Sequence, residues 1–211
     1  MKKEKETEIL LARHAESKLN PERIYTSKPE NDKGLSALGK WQAKKLATRL
    51  KNEKIDAIYC SPIPRAIETA TSIAKVLKKK IIVSKNFREP DMGKVELMPE
   101  KEIARRYPKL AKVWFYGDVT SVQIPGGESY KHMQQRSWQE FVKLAKKHHG
   151  KKILIVTHHA TAGAIICKIF GTLRIYNSLS LFNASLSSII LKDKKFKVRY
   201  LNDISHLRDL R

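Results

Sequence analysis

Four side chains in this sequence stand where an apolar run gives way to a polar turn, and all four suit a phosphoryl group. Leu10-Leu11-Ala12 runs into Arg13 and His14, residues 55–60 close at Ser61-Pro62 with Arg65 just beyond, and residues 153–157 run straight into His158. A phosphoryl group in transfer spreads negative charge over three oxygens, so it needs position and positive potential from the protein. Arginine supplies both, because its planar fork bonds two oxygens at once. A neutral imidazole can attack phosphorus in line and split one difficult hydrolysis into two easier steps.

Taken singly, each residue has a blander use. A lone arginine is usually half of a surface ion pair, and a lone histidine at a strand end is often a satisfied structural residue. Their chemistry depends on being gathered. Each apolar run reads as a buried strand followed by a helix, and in open α/β sheets such βα junctions converge outside the carboxyl ends of the strands, where ligands bind.

The elements that must do this gathering can be traced along the chain. After the first strand, residues 20–35 are rich in Asn, Pro, Asp and Gly and read as a loop. Ser36 can cap a helix that turns Leu38, Trp41, Leu46 and Leu50 to the core. Ser61 and Pro62 read as the cap and first residue of the next helix, with Pro64 tolerated in its first turn. Ile63, Ala66, Ile67, Ala70, Ile73, Ala74 and Leu77 form its stripe, which leaves Arg65 off the buried face and free to meet an anion at the helix start. Residues 81–83 are a third strand. Residues 88–126 read as an insertion over the carboxyl ends of the strands, with a short helix at 101–106 and Trp114-Phe115-Tyr116 as packing. Pro125-Gly126-Gly127-Glu128-Ser129 punctuates the chain before a long amphipathic helix carrying Met133, Trp138, Phe141, Val142 and Ala145. After the strand 153–157 comes a helix through Ala162, Ile165, Ile166 and Ile169, then a terminal hairpin of 188–191 and 196–201. The order predicts an α/β fold, a three-layer α/β/α sandwich on a mostly parallel central sheet, built as one domain over residues 1–211.

Composition narrows the classes. A chain of 211 residues that is 41% hydrophobic can bury one sizeable core. Lys+Arg 43 against Asp+Glu 21 gives a formal net charge of +22, which favours anionic partners. Much of the excess lies in lysine clusters at 78–80, 146–152 and 192–197, two of them near expected helix C-termini, where cations complement the macrodipole. Nucleic acid is therefore not the expected partner. Cys60 and Cys167 lie in apolar surroundings and read as free buried thiols. Residues 1–5 are charged and lead into a strand without the apolar stretch of a signal peptide, and no run approaches the ~18 apolar residues of a membrane span. The expectation is a cytoplasmic protein with no membrane contact; monomer and homodimer are both open.

Several segments also resemble, in order, the histidine phosphatase superfamily, or phosphoglycerate mutase-like family. They are Leu11-Ala12-Arg13-His14-Ala15-Glu16-Ser17 with Asn20; Cys60-Ser61-Pro62 with Arg65, Ala66 and Thr69; Arg88-Glu89 with Gly93; residues 125–129; Val156-Thr157-His158; Asn183-Ala184-Ser185; and Asn202-Asp203 with His206-Leu207. The resemblance spans nearly the whole chain, and an ordered set is far more specific than a lone Arg-His.

The resemblance implies that His14 takes the phosphoryl group as a phosphohistidine, that Arg13, Arg65 and His158 clamp it, and that Glu89 donates the proton. Asp91 and Glu96 are the next candidates for that donor. Ser17 and Asn20 either bond phosphate oxygens or cap the next turn. No metal or organic cofactor is required. The expected activity is hydrolysis of a small phosphorylated metabolite. The alternatives are a phosphoglycerate mutase-type transfer to a second hydroxyl, and a non-catalytic member that binds phosphorylated ligands or nucleic acid. Three positions depart from the family pattern: Ala15 and His159 stand where glycine is usual, and Val95-Glu96-Leu97 replaces the frequent Trp-Glu-Gly. His159 places a bulky polar side chain at the mouth of the expected site. A zinc site at His158-His159 is not expected, since adjacent residues leaving a strand diverge and no third ligand lies at metal spacing.

Overall fold

The computed structural model describes residues 6–210, with side chains through Arg208; the charged segment 1–5 lies outside the described residues. A six-stranded sheet runs through the centre in the order β3-β2-β4-β1-β5-β6. The strands are β1 (Thr7–Arg13), β2 (Ala57–Cys60), β3 (Ile81–Val83), β4 (Lys152–Thr157), β5 (Leu186–Lys192) and β6 (Lys195–Asp203). The first four are mutually parallel, and the β5–β6 hairpin closes the β1 side antiparallel.

Period-two alternation along β1 divides the core. Leu10 and Ala12 face one layer with α1 (Ala37–Leu50) and α2 (Pro64–Leu77), packing on Leu46, Leu50, Ile58 and Ile73. Ile9 and Leu11 face the other, with α5 (Tyr130–Lys147) and α6 (His159–Ile169), packing on Phe141, Leu144 and Ile165. This is the three-layer α/β/α arrangement. Truncating a fully buried residue such as Leu46 to alanine costs about 2–5 kcal/mol. Cys60 and Cys167 are free and buried.

Register sets the site. Arg13 lies beside Thr157 across the β1–β4 ladder, and Cys60 lies beside Val156 across β2–β4. Three strand ends therefore stop nearly level, and His14, Ser61 and His158 each follow at once.

Several local expectations need correction. The second helix begins at Pro64, with Ile63 as its cap and Pro64 in its first turn; Ser61-Pro62 instead forms the turn leading in, with the Ser61 hydroxyl accepting from the Ile63 amide. Arg65 is not on an outer face but buried, 5% exposed. Leu38 is 37% exposed, because α1 turns Ala43, Leu46, Ala47 and Leu50 inward instead. The insertion holds two helices, α3 (Glu100–Arg106) and α4 (Pro108–Phe115); α4 escapes a periodicity reading because it is only two turns long and begins at a proline.

Residues 88–126 pack through Val95, Ile103, Trp114 and Ile124 on Met133, Ala160, Ala164 and Tyr176, forming a third cluster beyond the ends of the parallel strands. Two carboxylates, half-buried Glu96 and buried Glu128, fasten this segment. Glu96 accepts from the Thr26 hydroxyl (2.6 Å), the Ser27 amide and hydroxyl, and the Asn31 side chain. Glu128 pairs with Arg136 of α5 through two bonds of 2.8 Å, and Arg136 also donates to the carbonyls of Asn86, Arg88 and Glu89. Gly127 is required by close approach, since a Cβ there would stand 2.2 Å from the Asp91 carbonyl oxygen.

Candidate active site

A cavity of 630 Å³ opens over the strand ends and is lined by Arg13, His14, Ser17, Asn20, Arg65 and Glu89, among others. Its floor is His14, which is 2% exposed. The His14 Nδ1 lies 2.7 Å from the Ala15 carbonyl. A carbonyl can only accept, so Nδ1 carries the proton and Nε2 keeps its lone pair. Arg65 Nε donates to that lone pair at 3.0 Å. Burial first, then the Arg65 and Arg13 charges, hold the His14 pKa well below the ordinary imidazole value, so the ring is neutral near pH 7. The arrangement is that of an unprotonated nitrogen nucleophile beside fixed positive charge.

Arg65 owes its position to Asp32, in the loop before α1. The Asp32 carboxylate accepts from the Arg65 backbone amide (3.0 Å) and from its Nη1 (2.5 Å), while Arg65 Nη2 donates to the Thr26 carbonyl. Arg13 Nη1 donates to the Leu181 carbonyl at 2.6 Å, and its buried Nε has no partner among the described residues. Burial lowers the Arg13 pKa to about 10, which leaves it charged at neutral pH.

Glu89 is buried at the start of α6, where its carboxylate accepts from the Ala160 amide (3.1 Å) and the Thr161 amide (3.3 Å). Those donors and the two arginines favour the ionised form, but desolvation outweighs them and raises the pKa above the usual carboxylate value. A carboxyl so raised is suited to proton donation. Neither Asp91 nor Glu96 lines the cavity. Asp91 accepts from the Gly93 amide. Glu96 is spent on the loop at 26–31, and those hydrogen bonds lower its pKa.

His158 is brought against His14, with ring centroids 5.1 Å apart, but it is fully buried and does not line the cavity. Its Nε2 pairs with the Ser61 hydroxyl at 2.7 Å, and its Nδ1 has no partner among the described residues. Burial and the neighbouring Arg65 depress its pKa strongly. Ser17 lines the cavity. Asn20 also does, but its side-chain oxygen accepts from the Ser17 amide and the Asn183 side chain, so it shapes the turn. Among the described residues no three His, Cys, Asp or Glu side chains are grouped as metal ligands; His159 turns its Nδ1 to the Leu181 carbonyl, away from His158.

Sequence reasoning missed three participants. Asp32 and the pair Glu128–Arg136 act only through tertiary contacts, and the single signal available was an acidic residue inside the motif-bearing stretch at 125–129. The third is the aromatic run 114–116. All three aromatics line the cavity wall, Trp114 as a buried, packed residue and Tyr116 as an exposed one.

Two arginines, a lone-pair histidine and a raised carboxyl gathered beyond the ends of the parallel strands suit the holding and transfer of a phosphoryl group. Residues 9–204 match the histidine phosphatase superfamily (branch 1), and the chain belongs to that family. It is 33% identical over 204 residues to a metal-independent phosphoserine phosphatase of Arabidopsis thaliana, covering 95% of this chain and 83% of the relative. It is 32% identical over 200 residues to phosphoserine phosphatase 1 of Hydrogenobacter thermophilus, covering 94% and 93%. Among solved structures, Bacillus stearothermophilus YhfR superposes with a TM-score of 0.90 at 27% identity, over 95% of this chain and 99% of that one. No helix among the described residues is long and apolar enough to cross a membrane.

Proposed function

We propose that this protein hydrolyses small phosphomonoesters through a phosphohistidine on His14. The observation that carries the reading is the His14 tautomer: Nδ1 is committed to the Ala15 carbonyl, so Nε2 holds an unprotonated lone pair on the cavity floor. The family membership and the phosphoserine phosphatases among its relatives support a small phosphorylated metabolite as the substrate.

In the reaction, a phosphate dianion enters beside Arg13 and draws the Arg65 guanidinium from His14 Nε2 onto its own oxygens. Nε2 then attacks phosphorus, the N–P bond forms as the ester P–O bond breaks, and the leaving alkoxide takes the proton of Glu89. The Ala15 carbonyl stabilises the phosphoimidazolium through Nδ1–H. Water attacks phosphorus next, gives its proton to the Glu89 carboxylate, and releases inorganic phosphate with the His14 lone pair restored. Arg13 and Arg65 hold the phosphoryl oxygens, while His158, buried outside the cavity lining, packs on the His14 ring and supports it from behind; Ser17 borders the oxygens and Asn20 holds the turn. The chain acts as a single domain in which residues 88–126 form the lid. A cytoplasmic location suits such a substrate.

The test is rapid quenching with labelled substrate. Acid-labile, alkali-stable label on wild-type protein and none on His14→Ala is the expected result. Label that survives in His14→Ala places the nucleophile elsewhere. Transfer to a second hydroxyl in place of water would identify the mutase-type alternative.

A further inference from the structure

Beyond the phosphate cradle the same cavity continues between aromatic walls. Tyr25 and Phe115 stack at 6.1 Å with 20° between planes, Trp114 lies 5.0 Å from Tyr25, and Tyr116 stands edge-on to Phe115 at 6.2 Å. On another side Tyr176 meets His159 edge to face at 5.9 Å. All six line the cavity. Tyr116 is 83% exposed, an aromatic side chain at the mouth with little of the protein covering it.

Two polar handles of these walls are already used. Tyr25 donates to Glu100, and Trp114 donates to the Tyr130 hydroxyl at 2.6 Å. Glu100 also receives Arg23, so the two ionic groups at the rim satisfy each other. His159 is neutral near pH 7, since burial and the Arg13 charge bring its pKa to about 4. The leaving-group half therefore presents ring faces beside the neutral side chains of Asn177 and Ser180, and its one ionic pair, Arg23 with Glu100, is engaged internally. The whole cavity, cradle included, falls within the range of about 300–1,000 Å³ that holds whole organic ligands, far more than a phosphoryl group fills.

We propose, resting on the phosphatase reading above, that this protein selects phosphomonoesters whose leaving group carries an uncharged planar ring, and that Phe115 and Tyr116 set that preference. Aromatic faces reward a ring by offset or edge-on stacking, while a charged leaving group would lose hydration there without a partner.

Benzyl phosphate and O-phosphoserine make the discriminating pair, because both have the ester oxygen on a saturated carbon and ask the same proton transfer of Glu89. Wild-type kcat/KM should favour benzyl phosphate by about tenfold, the scale of an aromatic contact with its burial. Tyr116→Ser and Phe115→Ala should each erode that preference through KM, with inhibition by inorganic phosphate kept. Tyr116→Ser alters a residue at the exposed mouth and so tests the wall even if Phe115→Ala fails to fold. Equal or reversed preference, or a loss in both variants that falls equally on the two substrates, overturns the proposal. Calorimetric binding of the same two esters to His14→Ala measures the selectivity without turnover. If no phosphomonoester is turned over, the phosphatase reading fails, while tighter binding of benzyl phosphate still supports the ring site and tighter binding of O-phosphoserine still refutes it.

Discussion

Replacing Glu89 with glutamine separates proton donation from everything else that residue does. The carboxyl lies at the start of α6 with two backbone amides donating to it. Glutamine keeps one acceptor oxygen but presents an NH₂ group to the second amide, so one donor is left unpaired at a cost of about 1–3 kcal/mol. Removing a desolvated ionisable group offsets part of that, and the fold should persist. The kinetic loss is of another order where the leaving group is poor. General acid catalysis is worth roughly 10²–10⁴ in rate, or about 2.7–5.4 kcal/mol of barrier. A p-nitrophenolate leaves without help, whereas an alkoxide does not. Glu89→Gln should therefore slow alkyl phosphate hydrolysis by ~10²–10⁴ and p-nitrophenyl phosphate hydrolysis by far less. Single-turnover assays on both esters, with labelling of His14 from the activated one, measure the contrast. Equal losses on the two substrates would mean that Glu89 serves to organise the α6 N-terminus, and the proton-donor role would be refuted.

Other expected outcomes follow from the same geometry. His14 must be neutral and Glu89 protonated for the first step, so kcat/KM should rise through the depressed His14 pKa, below 6.5, and fall as pH climbs through the raised Glu89 pKa, above 4.5; an alkaline limb that survives in Glu89→Gln would contradict that assignment. Arg136→Met removes the bidentate partner of buried Glu128, leaving it His132, Arg88 and the Asp91 amide, and should cost about 3–5 kcal/mol in urea denaturation, while the double variant Arg136→Met/Glu128→Leu should recover part of it; additive losses would refute the pairing energetics. Asp32→Asn weakens the charged anchor of Arg65, and a hydrogen bond to a charged group is worth about 1.5–3 kcal/mol, so inhibition by inorganic phosphate should weaken by roughly tenfold or more. Burial pushes the Cys60 and Cys167 thiols up to about 12 and 11, so neither should react with a thiol reagent until the protein unfolds; rapid native-state labelling would refute that.

The sheet and the residues it carries were readable because they depend on local patterns. The apolar runs ending at Arg13-His14 and at His158 predict strands, and the rule that βα junctions converge does the rest. What stayed hidden acts across long separations in sequence. Asp32 reaches Arg65 over 33 residues and Arg136 reaches the carbonyl of Glu89 over 47, and neither spacing leaves a periodic trace. Arg65 reads as a surface residue because helical periodicity recognises apolar burial only and gives no sign of a charged side chain buried against Asp32 and His14. The wall formed by Trp114, Phe115 and Tyr116 reads as packing in the sequence because three adjacent aromatics do not reveal that a cavity lies against them.

The fastening of residues 88–126 through Glu96 and through the Glu128–Arg136 pair has a consequence for how such a molecule could diversify. Arg13, His14 and Arg65 belong to the sheet and α2, whereas Trp114, Phe115 and Tyr116 arrive on a segment that begins at Glu89 and is clipped to that base through Glu96 and Glu128. A segment held at two latches can be exchanged for another of different shape, provided the replacement reproduces both. Chimaeras that keep Glu89, Glu96 with its partners at 26–31, and Glu128 with Arg136 would inherit the reaction from one parent and its preferred alcohol from the other. Random recombination across those latches would lose both.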